Sequence, residues 1–471
     1  MSTALALAGA GYRVRVLERA APPPEGPPGQ VAAVRHRPTV PQASHSHTLT
    51  SLGVRVLRQR APQVLEAALE AGATLLDLTA CAPREHGGFL PEPDDAELAA
   101  LAVRRAVLDL VLYRIVRAVP GVAISHGTTV RRLLTDHGGR RATGVVTGGG
   151  KRFPADVVVD ATGRRAEARS WLAAAGVPVA ADLTAPSGLR GFSRSYRLTG
   201  TCQPGALNRG NAAGGIWGHY AGVLHPGDNN TFAIALAVLP RDPAMTALSR
   251  PAGFTAAARA TPHVAPWLAG GTAEPAGPVR SITCPPNVLR GVATRRQRPV
   301  AGLFSVGDAA CVTNPLFGRG LSLALAHAFQ VADMLGAAPR VDEELGARVA
   351  AATEDLFGPW YEQSAHDDAA RIAAWSAAVH GEPPAAPPAP PGPSGRPSLS
   401  EAAAAAAVDG HVWRGVTRML MSLDTPGKIF DAPLFRAGVA AAQPPPPPAA
   451  ARPPSRAALL DAVAAATGGA R

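Results

Sequence analysis

The stretch Leu303-Phe304-Ser305-Val306-Gly307-Asp308-Ala309-Ala310, with Asn314-Pro315-Leu316-Phe317-Gly318-Arg319-Gly320-Leu321-Ser322 shortly after it, decides the fold. The apolar run at 303–306 predicts a short buried strand, and the periodic run from about 320 to 335 predicts a helix. Between them, glycines permit a ligand to approach the backbone closely, and the helix N-terminus offers N–H donors and a positive dipole. An ordinary Gly-Asp turn before a helix cap is the alternative, but strand, turn and helix occur in the order that a ligand site requires.

A second strand runs into a turn earlier in the chain. Residues 157–160 form a continuous β-branched run typical of a buried parallel strand, and Asp160 and Gly163 follow in the turn. The glycine would let the backbone lie against a ligand. A plain strand-to-loop turn explains the same residues.

The N-terminus is consistent with half of a dinucleotide-binding βαβ unit. Residues 2–8 favour a helix, residues 12–17 alternate as a strand, and Glu18 and Arg19 stand at the strand's end. A carboxylate there can accept hydrogen bonds from the ribose hydroxyls of adenosine. Gly9 and Gly11 do not form the G-x-G-x-x-G fingerprint, because they follow a helix and open a strand.

Counting back from Glu18 places such a glycine loop just before Met1, since the acidic residue follows the loop by about 20 positions. We therefore expect the natural product to start roughly 10–20 residues upstream. The in-frame codons before Met1 test this expectation, and a stop codon without a glycine-rich run would refute it. An ordinary strand that ends in a surface glutamate is the alternative.

Composition excludes several classes of protein. The net charge is +11, but only two lysines occur and the arginines are scattered, which argues against nucleic-acid binding. The four cysteines are far apart, with no zinc spacing, and favour a reducing cytoplasm without a metal site. No apolar run reaches the ~18 residues of a transmembrane helix.

The middle and end of the chain have different patterns. Short alternating runs between about 183 and 299 predict an antiparallel sheet inserted as a second lobe. Proline-rich stretches at 383–397 and 444–454 predict extended segments, with helices between and after them. We expect His327 to be a surface or packing residue and Cys311 to be a small buried side chain.

These motifs in this order resemble the single-component flavoprotein monooxygenases related to para-hydroxybenzoate hydroxylase, the group A superfamily. The residues that carry the resemblance are Glu18, the turn from Asp160 to Gly163, and Gly307-Asp308 followed by Pro315, Gly318 and Gly320. Residues 40–47 and 105–109 look closer still to the branch that contains polyether epoxidases. The resemblance covers about residues 1–340.

The resemblance implies an α/β fold: a FAD-binding, Rossmann-like domain of the glutathione-reductase type with an inserted antiparallel β-sheet substrate domain and a helical C-terminal region. The expected boundaries are 1–182 and 300–380 for the two parts of the FAD-binding domain, 183–299 for the substrate domain, 381–399 for a proline-rich linker, and 400–471 for the C-terminal helices and tail.

The resemblance also implies roles for single residues. Glu18, with Arg19 beside it, would bind the adenosine ribose, Arg105 the phosphate or ribityl part of FAD, and Asp308 the ribityl chain. Backbone of the Pro315, Gly318, Arg319 and Gly320 turn would lie along the flavin ring, and the Asp160–Gly163 turn would also touch the cofactor.

The extended segment around His45 and His47 has two interpretations. Alternate residues of a strand point the same way, so both imidazoles could line the flavin cavity, and His47 is the one candidate we name for catalysis. Packing of the loop is the other interpretation. A metal site is not expected, because no third ligand has suitable spacing.

The chemistry that the family implies is NAD(P)H reduction of FAD, reaction with molecular oxygen to a flavin C4a-hydroperoxide, and hydroxylation or epoxidation of a hydrophobic small molecule. Cys311 stands where many aromatic hydroxylases have histidine, which argues against phenol hydroxylation. A flavin dehydrogenase or reductase and an inactive, truncated remnant are alternatives. A halogenase is disfavoured, because no Trp-x-Trp-x-Ile-Pro stretch occurs.

Overall fold

The structure is a computed structural model, and it describes residues 1–34, 40, 45–83, 89–200, 204–383, 395–446 and 448–468. The α-helices of these residues are, in chain order, α1 Ser2–Gly9, α2 Pro28–Val34, α3 Ser51–Arg60, α4 Pro62–Glu70, α5 Arg105–Ala118, α6 Glu167–Ala174, α7 Pro251–Ala260, α8 Gly320–Ala337, α9 Glu343–His380, α10 Leu399–Ala405, α11 Gly410–Leu420, α12 Pro426–Phe430, α13 Pro433–Ala441 and α14 Arg456–Thr467.

The strands are, in chain order, β1 Val14–Leu17, β2 Thr74–Asp77, β3 Ala99–Ala102, β4 Val122–Ser125, β5 Val130–Thr135, β6 Ala142–Thr147, β7 Arg152–Pro154, β8 Val158–Asp160, β9 Leu183–Ala185, β10 Arg190–Leu198, β11 Ala213–Ile216, β12 Ala221–Pro226, β13 Thr231–Val238, β14 Ala273–Pro275, β15 Arg280–Thr283, β16 Asn287–Leu289, β17 Leu303–Ser305 and β18 Cys311–Val312. The chain is therefore a mixed α/β protein, as predicted.

The N-terminal helix leads into one pair of parallel strands, and the Gly-Asp turn follows a strand of another. β1 pairs with β4 and β17 pairs with β8, both in parallel. α1, α5 and α8 share one apolar core with Phe304, in which Leu5, Val107 and Leu323 are buried. This arrangement confirms the strands predicted at 12–17, 157–160 and 303–306, and it places the Gly-Asp turn at the carboxyl end of a parallel strand.

An antiparallel sheet lies between β9 and β16 in the chain, as the alternating pattern predicted. Its strand order is β11-β12-β13-β10, and β14 and β15 both pair with β10. One face carries large side chains, among them Phe192, Phe232 and Ile234. α7 and α14 cover that face, and α14 contributes the buried Leu459 and Val463. Because side chains alternate along a strand, the other face belongs to the intervening residues.

A small sheet joins the inserted sheet to the Gly-Asp turn. β16 lies between β9 and β18 and is antiparallel to both. β9 therefore marks the entry to the inserted sheet, β16 marks its exit, and β18 directly follows the turn at 307–310. The backbone bond from Arg290 N to Ala310 O (2.9 Å) extends this connection.

The C-terminal helices divide between the two parts of the molecule. α10, α11 and α13 bury Ala402, Val412 and Phe435 in the core of the parallel-strand region. α14 instead packs on the inserted sheet, where Arg456 makes two hydrogen bonds of 2.7 Å with the carboxylate of Asp242. Most of the proline-rich segment predicted at 383–397 lies outside the described residues, because these leave out 384–394.

Within the described part of the chain, every helix is either too short or too polar to cross a membrane.

Candidate functional site

The Gly-Asp turn presents a carboxylate that no described residue hydrogen-bonds. Gly307 has a φ of +57°, a backbone conformation that glycine adopts easily, and Asp308 follows it. Burial raises the pKa of Asp308, and the nearby guanidinium groups of Arg105, Arg164 and Arg290 offset this only in part. A half-buried carboxylate without a donor is unfavourable, so the turn is suited to accept hydrogen bonds from a ligand.

Arg105 lies near this turn, and His47 lies near Arg105. Arg105 is the first residue of α5, and its Nε donates to Asp109 at 2.9 Å. Burial lowers the pKa of Arg105, but Asp109 and then Asp308 raise it more strongly. His47 is close enough for Arg105 to affect it, and burial together with that charge lowers its pKa to about 4. The imidazole is therefore neutral, and its buried Nδ1 has no partner.

The turn after β8 packs beside the Gly-Asp turn, and Val306 N donates to Asp160 O at 3.0 Å. Asp160 is fully buried, and both of its carboxylate oxygens are occupied. Oδ1 accepts from Thr162 N (2.9 Å) and Thr162 Oγ1 (2.6 Å), and Oδ2 accepts from Ala168 N (2.8 Å). The carboxylate of Asp160 therefore shapes the turn and the start of α6, which leaves the backbone around Gly163 to face a ligand.

Glycines leave open space in front of both turns. A Cβ added to Gly163 or Gly318 would meet no other atom within 4 Å. Both residues have positive φ angles, +68° and +66°. The residues present therefore fit a flat, hydroxyl-bearing cofactor such as FAD, which needs a close backbone approach and an acceptor for its ribityl hydroxyls.

A buried polar network holds the turn before α8 from behind. Asn314 N donates to Asn287 Oδ1 (2.8 Å), and Asn314 Nδ2 donates to Asp368 Oδ1 (2.7 Å). Asn287 Nδ2 donates to the other oxygen of Asp368 at 2.7 Å, and Arg371 donates to the same carboxylate at 2.9 Å. Asn314 Oδ1 accepts from Leu316 N at 2.9 Å. These bonds fix the backbone of residues 314–316, on which the position of the helix N-terminus depends.

The side chain of Arg319 points into the protein. It is 1% exposed, and its guanidinium lies 4.6 Å from the ring centroid of Phe317 and 4.8 Å from that of Trp360. Burial lowers its pKa to about 10. A role of Arg319 toward a cofactor would therefore be carried by its backbone, whereas its side chain supports the turn through cation–π contacts.

Glu18 and Arg19 lie at the end of β1, as the sequence predicted. Glu18 Oε1 accepts from Ala20 N at 2.8 Å, and Glu18 N donates to Ser125 O of the neighbouring β4. The carboxylate is half-buried, and Arg19 is exposed. No hydrogen bond or ion pair among the described residues links this strand end to the Gly-Asp turn.

The segment at 45–48 reaches the inserted sheet. His45 Nδ1 and Ser193 Oγ are 2.7 Å apart, and Ser46 Oγ lies 2.6 Å from His225 Nδ1. His45 and His47 therefore have different neighbours, since His47 lies beside Arg105. His327 is buried on α8, where its Nε2 donates to Thr353 Oγ1 at 2.9 Å, and Cys311 is 3% exposed, so both pack in the core.

Sequence reasoning missed the partners that come from other parts of the chain. Asn287, Asp368 and Arg371 hold the turn before α8, and Asp228 holds the start of α5, yet none belongs to a motif. The one feature of the sequence that could have indicated these partners is a polar residue within an otherwise apolar stretch. Asn287 is such a residue, because it precedes Val288-Leu289 in a short strand.

The comparisons with known proteins find structural similarity only. No protein-family profile matches the sequence, and no curated protein matches it. PqsL, described as a probable FAD-dependent monooxygenase from Pseudomonas aeruginosa, is 18% identical with a TM-score of 0.50 over 81% of this chain and 92% of that chain. The flavin-dependent brominase Bmp2 is 14% identical with a TM-score of 0.52 over 93% and 95%.

A third similar structure is the Diels-Alderase PyrE3 of pyrroindomycin biosynthesis, which is 16% identical with a TM-score of 0.54 over 90% of this chain and 78% of that chain. The chain thus has the fold of flavin-dependent monooxygenases and halogenases. This confirms the predicted fold at that level, because identities this low establish the fold and not the reaction.

Proposed function

We propose that this chain is a FAD-dependent monooxygenase that takes electrons from NAD(P)H and transfers one atom of molecular oxygen to a small organic substrate. The observation that carries the proposal is the carboxylate of Asp308. It is half-buried, no described residue donates a hydrogen bond to it, and it lies between a parallel strand and the N-terminus of α8, the kind of strand end at which α/β folds bind their ligands.

The other residues of the site suit the same cofactor. Asp308 would accept hydrogen bonds from the ribityl hydroxyls, and Arg105 would approach the phosphate or ribityl part. Glu18, with Arg19 next to it, would bind the adenosine ribose. Backbone around Gly163 and from Pro315 to Gly320 would lie against the ring system, where the positive end of α8 favours negative charge.

FAD, when bound, supplies the redox chemistry that accepts two electrons and activates oxygen. The protein residues bind and orient the reactants and exclude water. The neutral imidazole of His47, whose Nδ1 is free to accept a proton or a hydrogen bond, is our candidate for proton transfer at this site. One oxygen atom enters the substrate, and the other leaves as water.

The visible spectrum of the purified protein tests flavin binding, and the variant Asp308→Ala tests the role of the carboxylate. We expect Asp308→Ala to bind FAD roughly 10- to 100-fold more weakly, because a hydrogen bond to a charged group contributes about 1.5–3 kcal/mol. Burial raises the pKa of Asp308, so the ionised carboxylate destabilises the flavin-free fold, and the flavin-free variant should melt at the same or a higher temperature than the wild type.

The matched control is Asp156→Asn, an exposed carboxylate before β8. It should change neither flavin affinity nor melting temperature. If Asp308→Ala lowered the melting temperature of the flavin-free protein and left flavin affinity unchanged, Asp308 would be a structural residue and the proposal would lose its main support.

Oxygen consumption with an oxygenated product separates the monooxygenase from a flavin dehydrogenase or reductase on the same scaffold. The test is needed because PyrE3 shares the fold and is described as a Diels-Alderase. PqsL has been solved in complex with 2-aminobenzoylacetate, which favours a small organic molecule as the substrate here as well. Two neighbours are halogenases, but the Trp-x-Trp-x-Ile-Pro stretch does not occur in this sequence.

The closer relationship to polyether epoxidases and the domain boundaries stay predictions. A purified protein without the visible absorption of a flavin would favour the inactive remnant.

A further inference from the structure

The end of β1 is held to the end of β4 by backbone hydrogen bonds on both sides of Glu18. Glu18 N donates to Ser125 O at 2.9 Å, and Thr128 N donates to Glu18 O at 2.9 Å. The two strands are parallel, so their carboxyl ends lie side by side. Ligands of α/β folds bind outside such strand ends, and Glu18 lies at this one.

The carboxylate of Glu18 is oriented by the backbone two residues further on. Ala20 N donates to Glu18 Oε1 at 2.8 Å, and both residues are half-buried. Among the described residues this is the one hydrogen bond that the carboxylate accepts. Because an ionised carboxylate has about four acceptor positions, the other oxygen can accept from a ligand, and its direction depends on where Ala20 lies.

His126 holds Ala20 in place from the end of β4. Its Nδ1 lies 3.1 Å from Ala20 O, and its Nε2 lies 3.1 Å from the hydroxyl oxygen of Tyr113 on α5. A carbonyl oxygen can only accept, so Nδ1 carries the proton that is donated to Ala20. In the neutral imidazole Nε2 is then an acceptor, and the Tyr113 hydroxyl donates to it.

The imidazole of His126 is itself fixed in position. Tyr113 is 7% exposed, and its ring centroid lies 5.7 Å from that of His126 in an edge-on arrangement. Thr128 Oγ1 donates to His126 O at 3.1 Å, which holds the backbone as well. A chain of hydrogen bonds therefore runs from α5 through the imidazole and the Ala20 peptide to the carboxylate of Glu18.

We propose that His126 positions the binding site for the adenosine of FAD: through Ala20 it orients the carboxylate of Glu18 toward the two ribose hydroxyls. Tyr113 fixes the tautomer of His126 that can donate to Ala20. This inference rests on the proposed function, and it assigns the preference of the site for a dinucleotide to a histidine outside every sequence motif. FMN has no adenosine and cannot make this contact, whereas ADP has the adenosine without the flavin.

Titration of the flavin-free protein with FAD, FMN and ADP tests the proposal. We expect the wild type to bind FAD about tenfold or more tightly than FMN, because hydrogen bonds to a charged group contribute at least that factor. His126→Phe keeps a ring against Tyr113 but has no N–H group. It should bind FAD and ADP about 3- to 10-fold more weakly, the range of one uncharged hydrogen bond, and FMN as before.

Four further variants separate positioning from a structural role. His126→Asn, whose amide N–H can take the place of Nδ1, should keep most of the affinity for FAD and ADP. Tyr113→Phe should weaken both in the same direction and by less. In a Glu18→Ala background, His126→Phe should change neither affinity further, because its effect passes through that carboxylate. The matched control is His137→Phe, in the exposed turn after β5, which should bind all three ligands like the wild type.

The proposal is overturned if the wild type binds FAD no more tightly than FMN, if His126→Phe weakens FAD and FMN equally, or if its effect persists in full without Glu18. Flavin still binds in each of these cases, so the proposed function would stand. A protein that binds neither flavin refutes the proposed function. The adenosine contact would then stand if ADP binding is weakened in His126→Phe, and it would be refuted as well if ADP does not bind.

Discussion

Replacing Asp228 by asparagine should separate the inserted sheet from the start of α5. The side chain of Asp228 is completely buried and accepts hydrogen bonds from four donor atoms: Arg104 N (2.9 Å), Arg104 Nε (3.0 and 3.1 Å to the two oxygens), Arg104 Nη2 (2.6 Å) and Asn229 Nδ2 (3.0 Å). Burial raises the pKa of Asp228, but its bonds to Arg104 outweigh this and lower the pKa overall. The ion pair therefore contributes to stability.

Breaking a buried ion pair by removing one partner costs about 3–5 kcal/mol. The side chain of Arg104 is 25% exposed, so water can solvate part of the released charge, and we expect the lower end, about 3 kcal/mol, for Asp228→Asn. Urea unfolding followed by circular dichroism measures this difference. Arg105 follows Arg104 at the start of α5, so the variant should also bind less flavin.

The exposed pair of Glu25 and Arg117 provides the control. Its side chains are 75% and 52% exposed, so Glu25→Gln should unfold at the same urea concentration as the wild type. The pH dependence gives a second check. Because the pKa of Asp228 is lower in the folded protein than its ordinary value of 3.8, its contribution is present above that value and is lost as the pH falls below it. If Asp228→Asn unfolded at the same urea concentration as the wild type, the ion pair would not hold α5 to the inserted sheet.

Three further predictions concern single side chains. Burial lowers the pKa of His327 to about 4, so below pH 6.5 the unfolded chain binds a proton that the folded chain does not. The wild type should therefore lose about 3 kcal/mol of stability through this group between pH 7 and pH 4, and His327→Gln should not show this part of the loss. An unchanged pH profile in the variant would contradict this. Asn314→Ala leaves Asp368 without one donor and frees the turn before α8, so the flavin content after purification should fall while stability falls by only about 1–3 kcal/mol. Arg456→Gln leaves the buried Asp242 without its ion pair, and hydrogen exchange should then show protection lost in α14 first; uniform loss across the protein would argue against this.

The sequence by itself determined the local elements around the candidate site. The strand at 303–305, the turn with Asp308, and the helix from Gly320 all have the predicted positions. These elements could be predicted because the periodicity of buried residues and the conformational preference of glycine both depend on residues that are close together in the sequence. The strands of the inserted sheet could be predicted from their alternating apolar and polar residues for the same reason.

Only the tertiary structure decided which side chains meet. It placed His225 near His47, more than 150 positions earlier in the chain, and it buried the side chain of Arg319 against two aromatic rings. It also carried α14 back onto the inserted sheet, while the helices before it packed elsewhere. Such contacts cannot be predicted from the spacing of residues in the sequence. They depend on how the helices and strands pack and on which polar groups form hydrogen bonds once water is excluded.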